Sequence, residues 1–235
     1  MHRKHFFLQG LSVIAGLWLG LGASLCYATS FTISVDTTSL VGNPAGPFAL
    51  NFQLIDGGST ANNTATLSDF DFGGGSAGIS ACSAINCTGG ASVTSPPLVV
   101  TLTDDSSLGG AFLNQVVLLF TPGSSGPLSF LLDLTTNVEN GVGVSPDAFS
   151  LGILDSSGFG LPTSFSDVFV QIDIANPLTI NTFASDASAS PPGCPTCPPI
   201  AIGAPSVNAV PEPGTGVLLI VGLVGLAFAR HPHKS

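Results

Sequence analysis

Between residues 29 and 210 this chain offers carboxylates and thiols but no base to work with them. Its four Lys and Arg residues (Arg3, Lys4, Arg230, Lys234) and its four His residues (His2, His5, His231, His233) all sit at the two ends, while every one of its fourteen acids except Glu212 falls between Asp36 and Asp186. A Ser or Cys nucleophile in this body has no imidazole or amine to activate it, a Schiff base has no amine to form on, and an oxyanion or phosphate meets no cationic clamp. What remains is the chemistry of paired carboxylates, as in glycoside hydrolysis, where two acids face each other across a cleft. Asp69 and Asp71 stand two apart and would share a strand face, whereas Asp104 and Asp105 are adjacent and would point to opposite faces or occupy a turn. Turn and edge positions account for both pairs more cheaply than catalysis does, so no catalytic residue is assigned.

Two further residue groups have spacing that bears on chemistry. In Asp69-Phe70-Asp71-Phe72-Gly73-Gly74-Gly75, two acids precede a flexible glycine loop, and a structural Ca²⁺ would accept oxygen ligands from such a turn, although the acids and closing Glu of an EF-hand are missing. Cys26 lies near the N-terminus, which leaves Cys82, Cys87, Cys194 and Cys197, an even number whose natural reading in an oxidising compartment is two local disulfides, Cys82 with Cys87 and Cys194 with Cys197. A four-cysteine zinc site competes because Cys194-Pro195-Thr196-Cys197 has CxxC spacing, but the first pair is spaced more widely and lies far away in sequence. A redox role for the same motif is disfavoured by its setting among prolines rather than at a helix start. Asn62 (with Thr64) and Asn86 (with Thr88) fit the glycosylation sequon.

The C-terminus is built to be recognised. Pro211-Glu212-Pro213 precedes an apolar run over residues 214–229 and then Arg230, His231, His233 and Lys234. As a helix that run rises about 24 Å, a little less than a roughly 30 Å hydrocarbon core, so it inserts but anchors weakly. Arg230 and Lys234 hold the extreme terminus on the cytoplasmic side, leaving Pro211, Glu212 and Pro213 outside the membrane within reach of a processing enzyme. Residues 210–235 resemble the PEP-CTERM sorting signal of Gram-negative bacteria, with His231 and His233 standing where Arg is commoner. The resemblance implies cleavage near the motif by an exosortase-type membrane protease and transfer to the cell surface or extracellular matrix. An ordinary single-span tail anchor is the plainer alternative.

The N-terminus agrees with export. A basic start (Arg3, Lys4), an apolar stretch over 11–25 and a small residue at Ala28 read as a secretory signal peptide over 1–28, engaging Sec and cleaved by signal peptidase after Ala28. Lipidation at Cys26 is disfavoured because Leu25 is not small, and an uncut signal anchor is the alternative reading. The only Trp and Tyr, Trp18 and Tyr27, leave with this segment, so a sugar-binding role would have to rely on Phe or on hydrogen bonds. The remaining body carries an uncompensated negative field that repels nucleic acid, anionic lipid and acidic polysaccharide and favours divalent cations or basic partners. The acids also serve simply to solubilise a surface otherwise rich in Ser, Thr, Asn and Gly.

The elements that position these groups read as strands. Alternation marks Phe31, Ile33, Val35; Phe48, Leu50, Phe52, Leu54; and Phe149, Leu151, Ile153, while apolar or β-branched runs at 98–103, 115–121, 128–134, 168–174 and 178–183 are bounded by Gly, Pro, Asn, Asp and Ser. The consecutive apolar residues from Val116 to Phe120 suit a central strand covered on both faces. Phe149-to-Ser156 echoes Leu50-to-Gly57 as a strand running into an Asp turn. No helical period persists, so the expected architecture is an all-β sandwich of jelly-roll type over 29–186. Pro191, Pro192, Pro195, Pro198, Pro199 and Pro205 mark 187–209 as an extended spacer ahead of the sorting signal at 210–235 and its transmembrane helix at 214–229.

The stretch 31–184, with Asp36-Thr37-Thr38, the Asp69-to-Gly75 segment, Leu132-Asp133-Leu134-Thr135-Thr136-Asn137 and Asn176-Pro177-Leu178-Thr179, resembles PEP-CTERM surface proteins with one β-rich domain. That resemblance implies export, sorting and a β fold, and supplies no catalytic residues. The expected function is a non-enzymatic surface or matrix protein associated with biofilm or exopolysaccharide. The alternatives are a glycan- or Ca²⁺-binding module or adhesin, and an acid-pair glycosidase.

Overall fold

The computed structural model describes residues 28–58, 62–78, 81–138 and 145–211. The expected signal peptide before Ala28, Glu212, Pro213, the apolar segment 214–229, Arg230 and Lys234 lie outside the described residues.

Alternation decides the long strands. In β1 (Ala28–Val35) the buried residues are Phe31, Ile33 and Val35, and in β2 (Phe48–Ile55) Phe48, Leu50, Phe52 and Leu54 turn inward. β3 (Thr64–Asp71) follows, then the two-residue β4 (Ser76–Ala77) and β5 (Cys87–Thr88), and then β6 (Gly90–Thr94) and β7 (Val99–Thr103). β8 (Leu113–Thr121), β9 (Leu128–Thr135), β10 (Asp147–Leu154), β11 (Val168–Ile174), β12 (Thr179–Thr182) and β13 (Ser206–Val210) complete the chain. Among the described residues the only helical pieces are two short 3₁₀ turns. None of them is long and apolar enough to cross a membrane.

One sheet runs β13-β1-β9-β3-β7-β6 and the other β12-β11-β10-β2-β8-β4, with β5 also on β8. The chain steps between sheets at β1, β2, β3 and again at β7, β8, β9. It thereby lays β1-β9-β3-β7 over β2-β8-β4, the interleaving of a jelly roll. The two inner faces meet in a single apolar core, where Phe52 of β2 lies edge-on to Phe130 of β9 at 5.5 Å and Phe70 stacks on Phe130 at 5.3 Å. Each such buried ring or branched side chain stabilises the fold by roughly 1.5–3 kcal/mol.

Two expectations are corrected. β8 is covered on one face only: Val116, Leu118 and Phe120 are buried while Leu119 is 43 % exposed, because no further layer among the described residues lies over its outer side. The proline-rich stretch 187–209 is no free spacer, and the folded unit runs on past Asp186. Cys197, Ile200 and Ile202 are buried in the core, and β13 pairs antiparallel with β1. The Ser185 hydroxyl bonds the Ile200 carbonyl at 2.6 Å and accepts the Ile202 N–H at 2.7 Å, while the Gly193 N–H reaches Asp155 Oδ2 at 2.7 Å. Proline does favour extended backbone here, but an extended chain beside an unpaired sheet edge becomes a strand.

Candidate functional site

The two ends of the folded unit meet at one rim of the sandwich. Register places Ala28 opposite Thr135 and Ser30 opposite Val210, so Pro211, which is exposed, follows one step beyond the last β1–β13 pair. Ala28 and the first residue of the Pro-Glu-Pro motif therefore lie on neighbouring strands at the same edge. The Ser30 hydroxyl donates to Asp133 and ties β1 to β9. Thr64 faces Thr103 farther along the same rim.

Beneath that rim lies a buried polar cluster that local sequence reading missed. Asn63, just before β3, is 1 % exposed, Asp104, just after β7, is 5 % exposed, and Asp147, which opens β10, is 1 % exposed. The Asn63 N–H donates to Asp104 Oδ1 at 2.5 Å, and the Asp104 N–H returns to the Asn63 carbonyl at 3.2 Å. The Asn63 side-chain amide donates to Asp147 Oδ2 at 2.6 Å and to the Asn137 carbonyl at 2.9 Å, and its oxygen accepts from the Asn137 N–H at 2.9 Å. Asp147 Oδ1 accepts the Gly57 N–H at 2.8 Å. That contact requires glycine, because a Cβ at Gly57 would stand 2.3 Å from the carbonyl oxygens of Ser145 and Pro146. Asp104 Oδ2 is buried without a hydrogen-bond donor. Burial is the largest influence pushing the Asp104 carboxyl up to about 7, and the neighbouring Asp147 and Asp56 charges push the same way against the Asn63 N–H. A depression of about 310 Å³ lined by Thr136, Val138, Ala175, Asn176 and Leu178 adjoins this end.

Of the acids weighed from sequence, only Asp104 lies in this cluster. Asp69 and Asp71 both lie within β3 and are exposed; Asp69 sits at an irregularity of the ladder with φ of +52°, and Asp71 accepts the Gly73 N–H at 2.9 Å. No group of three or more His, Cys, Asp and Glu side chains arranged for a metal occurs among the described residues. Cys82 bonds to Cys87 and Cys194 to Cys197, with Cα separations of 5.5 and 5.3 Å. The first bridge closes the loop that leads β5 onto β8, and the second lies in the segment docked by Asp155. The echo between Asp56 and Asp155 is shared turn chemistry, since each accepts the N–H two residues ahead at 2.9 Å. Asp105 is half-buried and accepts the Ser107 N–H at 2.8 Å, so the adjacent Asp104 and Asp105 do part company. The available signal for the missed cluster was an Asn or Asp at the end of four strands: Asp56, Asn63, Asp104 and Asp147.

Residues 209–234 match the family described as the PEP-CTERM protein-sorting motif. No curated protein and no solved structure matches the chain. The match begins inside β13, so the sorting motif departs directly from the folded unit. It marks an exported chain handled by an exosortase-type membrane protease and sorted to the cell surface of a Gram-negative bacterium.

Proposed function

We propose that this protein is a non-enzymatic component of the cell surface or extracellular matrix, a compact β domain delivered by Sec and signal peptidase and then released from its membrane anchor by an exosortase. The observation that carries this reading is the junction at Val210: the sorting motif follows an edge strand paired with the strand that opens at Ala28. In the membrane-held intermediate, with the segment 214–229 inserted and Arg230 and Lys234 inside, the rim bearing both ends faces the bilayer. Cleavage near Pro211, Glu212 and Pro213 then frees a domain whose two ends lie together, leaving the opposite rim and both sheet faces for contacts with exopolysaccharide or other matrix components.

Absence of enzyme chemistry is supported at the residue level. The acids that meet, Asp104 and Asp147, are buried and in direct contact, whereas a retaining glycosidase holds its carboxyls about 5–5.5 Å apart across an open cleft. Among the described residues no Lys, Arg or His is present to act as a base. The same charge balance disfavours nucleic acid as a partner.

The test is genetic and biochemical. In the native host, inactivating the exosortase should move the protein from the surface and medium to the inner membrane and raise its mass by the uncut tail. Unchanged distribution and mass in that strain would refute exosortase sorting.

A further inference from the structure

Asp104 and Asp147 meet in the buried cluster with N–H donors around them and no cation. Gly57 and the Asn63 side chain each serve one oxygen of Asp147, and the Asn63 backbone serves one oxygen of Asp104. The other Asp104 oxygen is buried with no donor at all. An unsatisfied buried polar atom costs on the order of 1–3 kcal/mol, more when charged. Lys, Arg and His are absent from residues 28–211, so no cationic side chain of the folded unit relieves it, and within the chain only a proton shared with Asp147 would. We propose that Asp104 and Asp147 together seat a divalent cation of the Ca²⁺ class, which clasps the ends of β3 and β7 in one sheet to the ends of β2 and β10 in the other.

Ligand chemistry selects the ion. The pair offers carboxylate oxygen, and no imidazole or thiol belongs to the cluster, so a hard oxygen-loving cation fits and zinc does not. Mg²⁺ demands near-ideal octahedral geometry, while Ca²⁺ accepts irregular sites completed by neutral oxygens and water. Only two carboxylates meet, which places the affinity in the weak class of extracellular modules, a Kd of roughly 10⁻⁴–10⁻³ M. Asp56 adds negative field from the end of β2.

The exported protein, purified from its host, is melted near neutral and at mildly alkaline pH in EGTA and with CaCl₂ about tenfold above the measured Kd. The expected result is a rise in Tm of about 3–6 °C with Ca²⁺ at the higher pH. The rise is absent in Asp104→Asn and is retained in the Asp69→Asn/Asp71→Asn double variant. Asp104→Asn is the informative variant because its amide mimics the protonated acid, donating toward Asp147 while its oxygen still accepts from Asn63, so the fold survives. A Tm indifferent to both Ca²⁺ and Mg²⁺ would overturn the proposal and leave a shared proton between the two acids. A Ca²⁺ response that persists in Asp104→Asn, or that disappears in the Asp69/Asp71 double variant, would overturn it by placing the ion elsewhere.

Discussion

Asp36 and Asp104 carry the same carboxyl in opposite settings. Asp36 is exposed and Asp105 and Asp186 are half-buried, each in a turn where the side chain and N–H of Thr38, Ser107 or Ser188 hold the carboxyl below its ordinary value. Asp155 is buried but collects N–H groups from Ser157, Phe159 and Gly193 and so needs no counter-ion. Asp104 is buried with one oxygen unserved, faces Asp147 and Asp56, and meets no base among the described residues. Its folded value, about 7, lies above the unfolded 3.8, so the folded state holds this proton more tightly. The stabilisation is complete below the unfolded value and is lost as pH rises through about 7. In EGTA, Tm should therefore fall from mildly acid to mildly alkaline pH, and Asp104→Asn should flatten that slope. A wild-type melt that rises across the same interval would contradict the assignment.

At the scale of the element, the docked segment 187–205 and β13 set the account apart from a domain on a stalk. Ile200 and Ile202 are 3 % and 2 % exposed, so Ile200→Ala and Ile202→Ala should each lower stability by about 2–5 kcal/mol in urea unfolding. A flexible spacer would register neither substitution. These contacts also show what a linear reading can and cannot reach. β1, β2 and β10 were legible because their apolar residues alternate, β9 because an apolar run is bounded by turn residues, and the disulfides because their partners are close in sequence. β3 was hidden because Asp69 and Asp71 carry turn-like chemistry at its exposed end, and β13 because only Val207 of Ser-Val-Asn-Ala-Val turns toward the core. The Asp104–Asp147 pair was out of reach for a different reason. Its members are joined by strand order across two sheets, and nothing in either residue's neighbourhood names the other.

For the whole molecule the governing fact is that both ends of the sandwich leave from one rim. β13 closes the free edge of β1, and the sorting motif starts within it, so the folded domain lies immediately beside the cleavage site rather than at the end of a tether. The edge strand is short, five residues, and three of its last residues are exposed, which leaves Pro211 reachable while the core stays shut. The central claim is that this chain is exported, trimmed at both ends and left as a free β domain. The most direct test is the intact mass of the protein recovered from its host's envelope and medium. The account predicts a chain that begins at Thr29 and ends close to Pro211, Glu212 and Pro213, with any added mass belonging to an attached group. A mass that retains residues 214–235 would contradict it and make the protein a tail-anchored membrane protein.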